Sequence, residues 1–485
     1  MSLKEKVIGG VSWSIISRLG SQVFQFGFTI ILARLLTPND FGIVGLLLVF
    51  TGFAQLIGDS GFSTALIQKI DAEETHYSTV FWIQLGIGIF LSFVFFIVGK
   101  YIAYFFATPV LEQITQVISL NFFISSLGYT QQALFTKRFL FKKLAVLSLI
   151  SVFVSGVFAV IFALNGFGVW ALVWQILIAS SVLSLLSWVL SDWKPKLIIN
   201  YAACKDLTKY GLYLLGHQSV NYWLRNGDKL LIGKFLSPAS LGIYSRGYNL
   251  MMLPMNNISA VLGRVMFPAL AQMQGDIPRF KKAYLKSVQM IAFIAFPSMV
   301  LASVIAEPFI NLVLGEKWAE VVPIFRILCW AGLLQSIVFP VNWIFTSLGK
   351  TKVQFQLSVI LGILYIISIL IGLKFGIVGV ALAYLFISIP SAFINFVISG
   401  KYIYLSVREV FKAVSLILCM SLLMGIILAL ADHFYFRTQN DILRLAALTI
   451  IGITLFVLFC KVIKDATYTE FLQVVTNKIL KRKER

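Results

Sequence analysis

Charge is what this sequence has least of. Asp, Glu, Lys and Arg together make up 12% of 485 residues, against 59% hydrophobic, and the mean hydropathy is +0.90. A soluble chain of this length needs a polar surface that such a composition cannot supply. Acid is scarcer than base, 20 residues to 40, and no Asp or Glu occurs between Glu5 and Asp40. The four cysteines, Cys204, Cys329, Cys419 and Cys460, show no CxxC spacing. A disulfide framework or a thiolate metal site is therefore not expected, and the cysteines read as small buried hydrophobes. No Asp-x-Asp motif occurs and every connection is short, which leaves no place for a glycosyltransferase-type catalytic centre.

What the chain has instead is apolar runs of 20 or more residues from end to end, each long enough to cross roughly 30 Å of hydrocarbon as a helix. Spans are expected near 10–33, 41–66, 78–106, 113–135, 144–164, 167–190, 207–236, 239–270, 284–314, 321–348, 353–373, 376–403, 410–431 and 442–463. The first is too long for a signal h-region and lacks a small-residue cleavage site, so no cleavable leader is expected. The fold class that follows is an all-α integral membrane bundle of about fourteen transmembrane helices.

The net charge of +20 would suggest nucleic acid in a soluble chain, but its placement says otherwise. With the N-terminus cytoplasmic, 27 of the 40 Lys and Arg fall in cytoplasmic segments, seven outside and six within spans. This bias orients the bundle with both termini inside and accounts for the charge without nucleic acid. The loop at Lys69, with Asp71, Glu73 and Glu74 beside it, is the least typical of the segments placed inside.

The chain repeats itself. Leu36-Thr37-Pro38-Asn39-Asp40-Phe41-Gly42-Ile43 matches Leu236-Ser237-Pro238-Ala239-Ser240-Leu241-Gly242-Ile243 at an offset of 200, and later matches such as Phe135-Thr136 with Phe345-Thr346 follow at 210. Each unit holds six spans, an even number, so both halves insert with the same orientation. A pseudo-twofold along the membrane normal is the consequence, with a cleft between two like lobes as the geometry for alternating access. Four segments are expected: an N-lobe 1–200 (spans 1–6), a C-lobe 201–404 (spans 7–12), spans 13–14 over 405–465, and a cytoplasmic amphipathic basic tail, 466–485, lying on anionic lipid.

Polar residues inside spans point to function because they are costly there. In span 1, Ser14, Arg18, Ser21, Gln22, Gln25 and Thr29 fall at three- and four-residue spacing on one face. Span 7 carries His217, Asn221, Arg225 and Asp228, with Gln218, Tyr222 and Lys229 beside them. Asp59 in span 2, and Arg246, Asn249, Asn256, Asn257 and Arg264 in span 8, extend the pattern. Arg18, Arg225, Lys229 and Arg246 are the candidate cationic cavity, with Gln22, Gln25, Asp59, His217, Asn221, Asp228 and Asn249 supporting it. Arginine in a low-dielectric cleft suits phosphate oxygens through bidentate pairing. The competing reading makes Arg18 with Asp59, and Asp228 with Arg246, buried structural pairs. It also makes His217 a packing residue, Arg264 and Arg326 snorkelling side chains, and Trp82, Trp170 and Trp193 interfacial anchors.

Several runs carry a family resemblance: Gly10-Val11-Ser12-Trp13-Ser14, Leu32-Ala33-Arg34-Leu35-Leu36-Thr37-Pro38-Asn39-Asp40-Phe41-Gly42, Asp59-Ser60-Gly61-Phe62-Ser63-Thr64-Ala65-Leu66-Ile67-Gln68 and Asp228-Lys229-Leu230-Leu231-Ile232-Gly233-Lys234-Phe235-Leu236. They resemble the polysaccharide-transporter branch of the MOP flippase superfamily, with its Wzx-type and teichuronic-acid exporters, over nearly the whole chain. The resemblance implies a multi-pass flippase of the bacterial inner membrane, not an enzyme, with both termini cytoplasmic. It would carry undecaprenyl-diphosphate-linked oligosaccharide, a lipopolysaccharide or exopolysaccharide repeat unit, from the cytoplasmic to the periplasmic leaflet. The partners implied are that cargo, membrane lipids and polysaccharide polymerase or export machinery; no cofactor, metal or nucleic acid is called for. Spans 13 and 14 lie outside the repeat, where peptidoglycan-precursor members form a lipid-binding groove. The alternative, a cation-coupled drug antiporter of the same superfamily, would be expected to carry an acid in span 1, where this sequence has none.

Overall fold

The computed structural model describes residues 3–59, 61–69, 71–200, 218–220, 222–223 and 226–463. Its described elements are helical. In the first half these are α1 (Leu3–Leu35), α2 (Pro38–Asp59), α3 (Phe62–Gln68), α4 (Glu74–Phe105), α5 (Val110–Lys137), α6 (Phe141–Leu164) and α7 (Val169–Leu190). Then come α8, described over 226–235, α9 (Pro238–Ala271), α10 (Ile277–Val304), α11 (Ala306–Val313), α12 (Val321–Val338), α13 (Val341–Ser347), α14 (Thr351–Gly372), α15 (Gly376–Gly400), α16 (Val407–Ala431) and α17 (Asp441–Val462). The chain forms two compact units, Met1–Gly242 and Ile243–Arg485.

Ten described stretches are long and apolar enough to cross a membrane. One of them, Thr351–Gly400, is a hairpin: α14 and α15 fold back on each other, and Ser368 Oγ donates to the Ala383 carbonyl at 3.0 Å. Counting the hairpin as two, and adding α1 and α9 at 33 and 34 residues, gives thirteen described helices of crossing length. The remaining expected span, 207–236, is described only in part, and the basic tail from 466 onward lies outside the described residues.

The caps show why helices begin where they do. Thr37 caps α2: its backbone N–H and hydroxyl donate to the Asp40 carboxylate at 2.9 and 2.7 Å, and its Oγ1 accepts from the Asp40 N–H at 3.3 Å. Pro38 fills the first helical position, where no N–H is needed. The repeat does the same at α9, where Ser237 Oγ accepts from the Ser240 N–H at 3.0 Å ahead of Pro238. Span 2, read as one run over 41–66, is broken. The helix stops at Asp59, and α3 restarts after Gly61, whose φ of 68° is left-handed.

The two copies of the repeated motif meet within the first unit. A Cβ on Gly42 would overlap the Pro238 carbonyl oxygen, and a Cβ on Gly242 would overlap the Pro38 carbonyl oxygen. Matched residues thus contact each other reciprocally, as a local twofold relation requires. Backbones approach this closely only where no side chain intervenes.

Elsewhere serine and threonine hydroxyls bind helices across the apolar interior. Ser184 Oγ donates to the Ile124 carbonyl at 2.6 Å, and Ser92 Oγ to that of Ser119 at 2.7 Å. Trp193 is not an interfacial anchor. It is 8% exposed and packs with Phe81 and Leu134 in a buried cluster, whereas Trp82 donates to the Lys196 carbonyl at 2.7 Å. Cys329 and Cys460 are buried as expected, but Cys419 is exposed on α16.

Replacing Gly42 by Ala is expected to cost about 1–3 kcal/mol by overpacking against backbone that cannot move aside. The measurement is monodisperse yield and melting temperature in detergent. Gly45→Ala is the control, since its Cβ would rest 3.4 Å from a Leu241 methyl; equal behaviour of the two variants would contradict the account.

Candidate functional site

The first unit gathers part of the predicted stripe into one cavity. A space of about 500 Å³ lies between α1 and the start of α6, lined by Ser14, Ser17, Arg18, Ser21, Gln22 and Gln25 from α1 and by Phe141, Leu144, Ala145 and Ser148 from α6. Arg18 and Gln25 are exposed and Gln22 is half-buried, so the cavity wall is polar. Ser21 Oγ and Ser148 Oγ lie 3.0 Å apart and tie the two helices at the cavity wall. One level up, Phe24 and Phe28 meet Phe153 edge-on at 5.4 and 6.0 Å, and Gly156 leaves room for the Phe28 ring. Lys142 stands with its ammonium 5.6 Å from the Trp13 ring. The cavity is thus cationic and rich in hydroxyl and amide groups within an apolar span. Ser17 and Ser148 were missed by the spacing argument: Ser17 lies one residue off the stripe, and the serines of α6, Ser148, Ser151 and Ser155, are small and uncharged and drew no notice.

Asp59 lies in a different place. Its Oδ1 accepts from Gln84 Nε2 at 3.1 Å and from the Ser63 hydroxyl, so its partners are these and not Arg18. Gln84 also donates to Ser63 Oγ at 3.2 Å and accepts from Thr130 Oγ1 at 2.9 Å. Gln84 and Thr130 are fully buried. This chain of hydrogen bonds runs through α2, α3, α4 and α5 and satisfies each member in turn, which in a low-dielectric interior is what makes burial tolerable. Asp59 therefore locks the break in span 2.

Of the span-7 candidates, His217, Asn221 and Arg225 lie outside the described residues. Asp228 is 9% exposed, and its Oδ1 accepts from the Lys229 N–H at 2.8 Å. The Lys229 ammonium donates to Asn226 Oδ1 at 3.0 Å. Tyr222 donates its hydroxyl to the Val49 carbonyl at 2.8 Å and packs with Phe53 and Trp223.

In the second unit, the Arg246 guanidinium lies 5.8 Å from the ring of fully buried Trp318, a cation–π contact, and Asn249 is exposed one turn on. Near them Gln335 donates to the Tyr384 hydroxyl, which donates to Tyr248 Oη at 3.5 Å, while Tyr365 and Ser388 pair at 3.1 Å. This tyrosine group was not foreseen, because tyrosine in a span reads as an apolar residue. Asn256, Asn257 and Arg264 lie on α9, but their side chains are outside the described set. Arg326 does not merely snorkel: its guanidinium reaches Glu307 at 3.4 Å.

Gln84→Leu would strip Asp59 of one donor and Thr130 of its acceptor. The expected cost is about 1–3 kcal/mol, seen as a lower melting temperature in detergent. Gln25→Leu, on the open cavity, should leave stability unchanged. Equal melting temperatures for wild type and Gln84→Leu would show that the network does not hold the fold.

The comparisons with known proteins agree with this architecture. Residues 31–323 match the family model described as polysaccharide biosynthesis protein. The chain is 26% identical over 411 residues to the lipopolysaccharide biosynthesis protein WzxC of Escherichia coli (strain K12), covering 83% of this chain and 82% of that one. It is 26% identical over 431 residues to the teichuronic acid biosynthesis protein TuaB of Bacillus subtilis (strain 168), covering 88% and 89%. Among solved structures, the lipid II flippase MurJ in an inward closed conformation superposes with a TM-score of 0.77 at 16% identity, over 95% of this chain and all of that one, which establishes a common fold. With the family model matching more than half its length, this multi-pass membrane protein belongs to the polysaccharide biosynthesis protein family.

Proposed function

We propose that this protein is a flippase that moves undecaprenyl-diphosphate-linked oligosaccharide from the cytoplasmic to the periplasmic leaflet of a bacterial inner membrane by alternating access. Family membership supports the class. The observation that carries the cargo is the α1/α6 cavity, where Arg18 stands among Gln22, Gln25 and four serine hydroxyls between apolar spans. Arginine answers the diphosphate, hydroxyls and amides answer sugar oxygens, and no bond is made or broken. No Asp or Glu occurs between Glu5 and Asp40, so the spanning part of α1 carries no acid, which argues against a cation antiporter of the same superfamily.

On this reading the repeats 1–200 and 201–404 are the moving halves, 405–465 is an added helical pair, and 466–485 lies on the cytoplasmic leaflet. Arg18 nearer the inner end and Arg225 with Lys229 toward the outer end let the diphosphate exchange partners as the protein rocks, with Arg246, Asn249, Asn221, His217 and Asp228 completing the polar path. Polysaccharide polymerase or export machinery would receive the product.

Two experiments test the proposal. Reporter fusions after Lys137 and Lys281 should report cytoplasm and one near Lys317 periplasm; a periplasmic signal at Lys281 overturns the orientation. Each charge-assisted contact is worth about 1.5–3 kcal/mol, so losing one should weaken capture tenfold or more. Arg18→Ala with Arg225→Ala is expected to abolish surface polysaccharide in a flippase-deleted strain, normalised to protein in the membrane. Arg→Lys should recover part of it, because bidentate pairing is lost. Full export by the double variant would reject the cationic path.

A further inference from the structure

A second cavity of about 500 Å³ lies wholly within the second unit, at the end where α10 and α16 finish and α12 and α17 begin. Its floor is apolar: Val300 and Val304 of α10, Trp330 of α12, and Leu422 and Ile426 of α16. Its rim is charged. Arg326, Arg437, Arg444 and His433 meet Glu307 and Asp432 there.

The rim charges are not equivalent. Arg444 is 5% exposed and holds Asp432 with two parallel bonds, Nε to Oδ1 at 2.6 Å and a terminal nitrogen to Oδ2 at 2.7 Å. The same terminal nitrogen reaches Glu307 at 3.2 Å. Both carboxylates are thus committed to one buried guanidinium, the geometry that makes an ion pair tolerable away from water. Arg326 touches Glu307 only at 3.4 Å, and Arg437 makes no side-chain ion pair among the described residues. Three arginines against two carboxylates leave one surplus positive charge, carried by the two arginines at the mouth.

The backbone is built to put it there. After α16 the chain makes a π-turn over Asp432–Phe436, closed by the Arg437 N–H donating to the Asp432 carbonyl at 2.8 Å. That five-residue turn brings Arg437 back close to the face that carries Asp432. Wide turns of this kind end helices.

We propose that this cavity binds the headgroup of a phosphodiester membrane lipid, with the phosphate between Arg326 and Arg437 and the first carbons of its chains on Trp330, Leu422 and Ile426. A phosphodiester carries one negative charge and matches the one surplus positive charge, whereas a diphosphate brings more. Paired guanidinium groups suit phosphate oxygens, and an apolar floor beside them suits a ligand with a tail. On the proposed orientation the site faces the outer leaflet. The inference does not rest on the cargo reading, since none of its residues belongs to the α1/α6 cavity.

The test uses the full chain in nanodiscs with a phosphatidylglycerol bearing a photoreactive group in its acyl chain, followed by peptide mapping. Labelling is expected on Trp330 and on the 422–437 segment, and it should fall tenfold or more in Arg326→Gln/Arg437→Gln. That variant leaves the Arg444–Asp432 bonds intact; if it does not elute as a monodisperse protein, Arg437→Gln alone, at an exposed position, should lower labelling at least threefold. Unlabelled phosphatidylglycerol should compete, and soluble glycerol phosphate should not. Unchanged labelling in the variants overturns the proposal. Equal labelling by a photoreactive diacylglycerol reduces the site to an apolar groove, and full competition by glycerol phosphate reduces it to a soluble-anion site; either outcome rejects a lipid headgroup.

Discussion

Inside a bilayer no water is at hand to satisfy a polar group, so every such group in these spans needs a partner from the protein or a reason to go without one. Most of what distinguishes this molecule follows from that constraint. Helices meet through small residues and short hydroxyl bonds, as where Ser184 reaches the Ile124 carbonyl. Gln84 and Thr130 are fully buried because each completes the other's hydrogen bonds and, through Gln84, those of Asp59. Arg444 is almost as deeply buried because Asp432 and Glu307 both face it.

Polar groups that line a cavity stand out against that background. Arg18 and Gln25 are exposed within a cavity, in a span that is otherwise apolar. An anion with hydrogen-bonding oxygens suits such a wall, and that is the physical case for a phosphorylated, sugar-bearing cargo. In the second cavity Arg444 takes up both carboxylates at closer range, and Arg326 and Arg437 share the positive charge that is left over.

The reciprocal contact of Gly42 and Gly242 connects the repeat in the sequence to the fold. Both copies of the motif open a helix with a hydroxyl cap and a proline, and both then place glycine one turn on. The cap fixes where each helix begins, and the glycine fixes how near the other copy can come. One short motif therefore sets both a helix start and a crossing, which gives a physical reason for the two copies to share their pattern.

Much of the fold was legible because its signals are local. Twenty apolar residues span hydrocarbon whatever surrounds them, a Ser/Thr-Pro pair starts a helix wherever it stands, and the offset of 200 is visible without coordinates. The polar stripe of span 1 was legible too, since three- and four-residue spacing defines a helix face. What spacing cannot say is which neighbour that face meets. Only the tertiary structure put α6 opposite Arg18 and supplied Ser148, gave Asp59 to Gln84 and Ser63, and buried Trp193, which its position at a span end had suggested as an anchor. Arg444, which no motif singles out, proved to be buried in a cluster drawn from three separate segments. Periodicity is a property of one helix, whereas the partner of a polar group is a property of two, and the sequence encodes the second only through packing.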